Sequence, residues 1–120
     1  MKIARLFQLL FWAALVFAFV MAALPQPPAL PGDPGDKVQH VLAFLVLTGL
    51  AALGYPKLGL LVIFLGLALF GAAIEAVQAI PELGRTPSWL DWFADVAAIA
   101  FVLLIAGAVR YRRGSPGTES

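Results

Sequence analysis

Residues 58–80 read LGLLVIFLGLALFGAAIEAVQAI. A run this long and apolar meets the roughly 20 residues that an α-helix needs to cross the hydrocarbon core of a bilayer. One ionisable side chain interrupts it: Glu75, within Ala72-Ala73-Ile74-Glu75-Ala76-Val77. Five residues before Ile80, it lies about 8 Å inside the end of the helix at 1.5 Å rise per residue. At that depth it has no helix terminus to cap. Charge inside lipid is costly, so such a residue marks a functional site or an obligatory pairing.

Three further apolar stretches flank this one. Residues 6–24 form the first, ended by Leu24-Pro25-Gln26-Pro27-Pro28 because proline lacks the donor that would continue a helix. The second, residues 36–53, is short in its apolar part and gains length by starting at Asp36. Gly54-Tyr55-Pro56-Lys57 is a tight connection that predicts an antiparallel hairpin between the second and third helices. The fourth covers residues 89–109, with Thr86-Pro87 reading as an N-cap followed by proline at the first helical position. The expectation is an all-α, integral membrane four-helix bundle. It forms one domain over residues 1–113, followed by a disordered cytoplasmic tail at 114–120. Small residues in the third helix, Gly66, Ala68, Gly71, Ala72 and Ala73, let neighbours approach closely and predict that it lies at the centre.

Composition supports a membrane protein. Of 120 residues 62% are hydrophobic and 12% charged, too little polar surface for a soluble domain of this size. The net charge of +1 and the lack of a long basic run argue against a nucleic-acid partner. Without cysteine there is no disulfide framework, thiolate metal site or cysteine nucleophile.

Loop charge sets orientation. With the N-terminus in the cytoplasm, Lys2, Arg5, Lys57, Arg110, Arg112 and Arg113 lie inside, and only Lys37 and Arg85 lie outside. The N-in, C-in arrangement follows, with Trp89 and Trp92 at the outer interface and Tyr55 and Tyr111 at the inner one. A competing reading takes Lys2, Arg5 and the first apolar stretch as a signal peptide. That stretch exceeds the usual core of about 7–15 apolar residues, which favours a retained helix.

This topology gathers the polar residues on the outer side. Asp36, Lys37, Gln39 and His40 open the second helix, Glu75 and Gln78 end the third, and Asp91 and Asp95 open the fourth, with Arg85 in the loop before it. Asp36/His40, Glu75/Gln78 and Asp91/Asp95 are spaced i,i+4, i,i+3 and i,i+4, so each pair projects from one side of its helix. Each residue also has a plainer reading. After Asp33-Pro34-Gly35, Asp36 can simply cap a helix. Asp91 suits the helix dipole in a first turn. Lys37 and Arg85 suit solvated or snorkelling positions.

The ordered set Asp36-Lys37-Val38-Gln39-His40 with Ala43-Phe44, Glu75-x-x-Gln78, Arg85, and Asp91-Trp92-Phe93-Ala94-Asp95 resembles the VanZ-like family of small bacterial membrane proteins. Asp95 stands where that family usually has asparagine, and Ala98 and Val102 stand where it usually has glycine. The resemblance implies a cell-envelope role related to teicoplanin resistance, in the bacterial cytoplasmic membrane. Its implied partners are the lipid bilayer and an envelope lipid or glycopeptide component.

On this reading Glu75, His40 and Asp91 are the candidate catalytic acid–base groups. Asp36, Lys37, Gln78, Arg85 and Asp95 are the candidate ligand-binding residues. The oxygen-rich set His40, Glu75, Asp91 and Asp95 is compatible with Mg²⁺, Mn²⁺ or Zn²⁺. No HExxH-type or paired-histidine spacing supports a metal, so no metal ligand and no cofactor is assigned from the sequence. The rival reading is a non-catalytic scaffold or partner subunit whose polar residues form a packing network.

Overall fold

The computed structural model describes residues 2–24, 35–83 and 88–114, without the side chains of residues 35–37, 83 and 114. Among the described residues there are four α-helices and no strand: α1 (Lys2–Ala23), α2 (Gly35–Gly54), α3 (Leu60–Gln78) and α4 (Trp89–Gly114). A short 3-10 turn, Pro81–Leu83, follows α3. The expected tail lies outside the described residues apart from Gly114, which ends α4. Thr86, Pro87 and Arg85 also lie outside them.

The helices follow from long apolar runs without an internal proline, and their ends follow from local chemistry. At the end of α3 the Ala79 N–H is shared between the Glu75 and Ala76 carbonyls, a tightened last turn just before Pro81. At the start of α4 the Asp91 and Trp92 N–H groups both reach the Ser88 carbonyl, so Ser88 is the residue from which the helix springs.

Cross-helix bonds fix the direction of each helix. Gln8, near the start of α1, donates from Nε2 to the carbonyl of Gly54 at the end of α2, at 2.7 Å. Gln78, the last residue of α3, donates to the carbonyl of Ala22 near the end of α1, at 3.2 Å. Arg110, near the end of α4, reaches the Leu58 and Tyr55 carbonyls between α2 and α3, at 2.7 and 3.1 Å. Successive helices therefore run antiparallel, and the expected α2–α3 hairpin is present.

α1 and α4 lie on opposite sides of the α2–α3 pair. The most extensive packings are those of α2, against α1 and against α4. α3 therefore shares the centre with α2 rather than holding it alone. Two glycines mark close approaches. A Cβ on Gly54 would meet the backbone of Phe7 and Gln8 at 3.0–3.2 Å, so α1 and α2 nearly touch there. A Cβ on Gly71 would lie 3.2 Å from Trp92 Cδ1 and 3.3 Å from Phe44 Cζ, which brings α2 and α4 onto α3.

The core runs along the bundle through Phe44, Leu47, Ile63, Leu67, Ile99 and Leu103. Thr48, fully buried, satisfies its hydroxyl within its own helix by donating to the Phe44 carbonyl at 2.6 Å. Outside the core the surface is apolar: Leu61, Leu69, Leu90 and Leu104 are each more than half exposed. α1, α3 and α4 are long and apolar enough to cross a membrane. The apolar part of α2, Val38–Gly54, is shorter.

Candidate functional site

Three helices bring His40, Glu75 and Asp95 together. α2 supplies His40 from its second turn, α3 supplies Glu75 from its last turn, and α4 supplies Asp95 from its second turn. One ligand-capable atom of each lies within 4.8 Å of the others. Glu75 and Asp95 are 3% and 2% exposed, and His40 is half-buried. His40 Nδ1, Glu75 Oε1 and Asp95 Oδ1 are all buried atoms.

The second carboxylate oxygen of Glu75 has a separate task. Oε2 accepts the Ser88 N–H at 2.8 Å, at the N-terminus of α4. A carboxylate there satisfies a backbone donor and complements the positive end of the helix dipole. Sequence reasoning missed Ser88. The signal that could have found it is Ser88-x-x-Asp91 ahead of an apolar run, the pattern of a capping box.

Gln78, 3% exposed, lies one turn beyond Glu75 and faces α1 through its bond to Ala22. Trp92, three residues before Asp95, donates from Nε1 to the Ala68 carbonyl at 2.9 Å and locks α4 against α3. Asp91 is half-buried in the first turn of α4, one turn from Asp95, and is not one of the three converging residues. Asp36 and Lys37 fall in the first turn of α2, but their side chains, like all of Arg85, are outside the described residues.

A groove of about 510 Å³ opens beside the cluster, between α1 and α2. Its walls are apolar, with Ala14, Phe17, Ala18, Ala43 and Leu47 among them, and its polar lining is Gln39 and His40. Those two lie at the end of the groove nearest the start of α2. A second apolar cavity, about 430 Å³, lies on another side of α1, against Phe11, Ile63, Leu67 and Phe70. α1 accordingly buries only Phe11 and Ala22.

Comparison with protein-family models, with curated proteins and with solved structures found no match for this chain. Among the described residues, the geometry defines an all-helical arrangement with membrane-compatible helices and a buried acidic–imidazole cluster at the end of an apolar groove.

Proposed function

We propose that this chain is a multi-pass protein of the bacterial cytoplasmic membrane, of the VanZ-like kind. Both termini are cytoplasmic, and the His40–Glu75–Asp95 cluster lies on the outer side. The site binds an envelope lipid, with an acyl or isoprenoid chain in the α1–α2 groove and the polar headgroup at His40 and Gln39. Lys37 and Arg85 are the cations that meet its phosphate.

The observation that carries this reading is the shared position of His40, which belongs both to the cluster and to the lining of the groove. Apolar walls leading to a few convergent polar groups are what an amphiphile requires. They favour a lipid over a soluble glycopeptide, which would leave the groove empty. Placement in the membrane is supported by the exposed leucines and by the six-to-two bias of basic residues.

Native mass spectrometry of the full chain in mild detergent tests the lipid. The wild type should carry a lipid adduct, and Ala43→Trp, which fills the groove, should lose it while keeping its helical circular dichroism. A wild type without an adduct, or a filled-groove variant that still carries one, refutes the lipid reading. Reporter fusions at the C-terminus test the orientation, with a cytoplasmic signal expected.

A structural role is the second reading, and specific bonds favour it. Glu75 to Ser88, Gln78 to Ala22 and Trp92 to Ala68 each tie two helices together at this end of the bundle. On that reading Glu75→Gln lowers stability without altering any bound lipid.

A further inference from the structure

The geometry points to a divalent transition-metal site formed by His40, Glu75 and Asp95. Each side chain offers one ligand atom, and these atoms lie within 4.8 Å of one another. Around a tetrahedral ion with bonds of about 2.0–2.2 Å, ligand atoms stand about 3.3 Å apart. Binding would draw the three atoms inward from their present spacing. They come from three separate helices, so no local sequence motif announces them.

Charge agrees with the assignment. Two carboxylates and one imidazole form a ligand set whose charge a divalent ion matches at the point where the three helices meet.

The donor set selects among ions. One imidazole nitrogen with two carboxylate oxygens suits Zn²⁺ or Mn²⁺, whereas Mg²⁺ and Ca²⁺ prefer oxygen alone. Glu75 keeps its orientation through the bond from Ser88 to its other oxygen, the outer-sphere support that such ligands commonly have. Because His40 also lines the groove, the remaining coordination position is reached from there by water or an anionic group. The site does not depend on the lipid reading and stands if no lipid binds.

The test is Zn²⁺ binding to the tag-free full chain in mild detergent, stripped with chelator and dialysed against Zn²⁺, with bound metal read by elemental mass spectrometry. Wild type should hold about one Zn²⁺ per chain, as a single mononuclear site requires. His40→Gln and Asp95→Asn should fall to background, and Asp91→Asn should keep the metal. No bound Zn²⁺ or Mn²⁺ in wild type overturns the proposal, as does full occupancy in both ligand variants. Displacement of Zn²⁺ by equimolar Mg²⁺ also overturns it, because that marks unspecific carboxylate binding. Should the ligand variants fail to fold, Co²⁺ added to wild type decides: intense visible bands of a four-coordinate ion support the site, and a colourless or hexa-aquo spectrum overturns it.

Discussion

Gly71→Ala should destabilise the bundle, although alanine is the better helix former. A Cβ at this position would lie 3.2 Å from Trp92 Cδ1, 3.3 Å from Phe44 Cζ and 3.5 Å from Trp92 Nε1. Optimal carbon contacts fall at about 3.5–4.0 Å, so both rings would have to retreat by a few tenths of an ångström. Neither is free to do so. Phe44 is 2% exposed and enclosed by the core. Trp92 is held by its 2.9 Å bond to the Ala68 carbonyl, on the same helix as Gly71. Overpacking of this kind costs about 1–3 kcal/mol, against which the intrinsic gain from glycine to alanine is at most about 1 kcal/mol. The expected net loss is about 1–2 kcal/mol. Gly66→Ala is the matched control, because a Cβ there meets nothing within 4 Å, and it should be neutral or slightly stabilising. Unfolding in mixed micelles with rising SDS, followed by tryptophan fluorescence and far-UV circular dichroism, measures both variants. A Gly71→Ala protein as stable as wild type, or more stable, would refute the close packing of α2, α3 and α4 at this point.

The opposite end of the bundle offers two further tests. Arg110 closes the α2–α3 connection with bonds to the carbonyls of Leu58 and Tyr55 and a longer one, 3.4 Å, to Ala52. Arg110→Ala should cost about 1 kcal/mol in the same unfolding assay, the value for a partly exposed set of charge-assisted bonds. Arg110→Lys should restore less than half of it, since an ammonium lacks the planar fork; full rescue by lysine would show that only charge matters. Gln78→Leu removes the bond to Ala22 and should loosen α1, with about 0.6–1 kcal/mol lost. The check is a cysteine pair engineered at the facing ends of α1 and α3, whose crosslinking should slow; an unchanged rate would mean that apolar packing alone seats α1.

Hydropathy made the helices legible because an apolar run of bilayer length can satisfy its backbone in lipid only as a helix. The observed α2 and α4 start within one residue of the expected positions, while α4 continues through Arg110, Arg112 and Arg113 to Gly114. The convergence of His40, Glu75 and Asp95 was also legible, because antiparallel helices place residues of similar depth at one level. The choice between Asp91 and Asp95 was not. They share a helix face, and only position along the bundle distinguishes them: Asp95 is buried and Asp91, one turn nearer the start of α4, is half-buried. The packing partners were hidden for a related reason. In α3 the buried positions Ile63, Leu67, Gly71 and Ile74 form a helical stripe, and the exposed Leu61, Leu65 and Leu69 are as apolar as they are. When outward and inward faces have the same polarity, the amphipathic contrast that orients helices in soluble proteins vanishes. Side-chain size carries the remaining signal. It pointed to α3 as the centre but could not register the more extensive packing of α2. Arg110 counted only as a basic residue in the orientation argument, because nothing local shows a carbonyl more than fifty residues away.

The two ends of the molecule are built for different tasks. At one end, Arg110, Gln8 and the Trp12–Tyr55 pair, whose Nε1 to hydroxyl bond is 2.7 Å, close the α2–α3 connection against α1 and α4. Backbones there approach so closely that a Cβ on Gly54 would press on the backbone of α1 at 3.0–3.2 Å. At the other end α1 is held by Gln78, and between these two attachments it spans apolar cavities rather than filling them. A helix fixed at both ends and underpacked between them is the natural wall of a groove. An amphiphile entering from the side displaces no well-packed core residue, and the groove leads it to His40. Burying an acidic pair beside that wall is costly, and the proposed divalent ion between the three helices offsets that charge. The fold thus keeps its acidic cluster and the groove that leads to it at one end, while cross-helix bonds tie the opposite end together beside the second cavity.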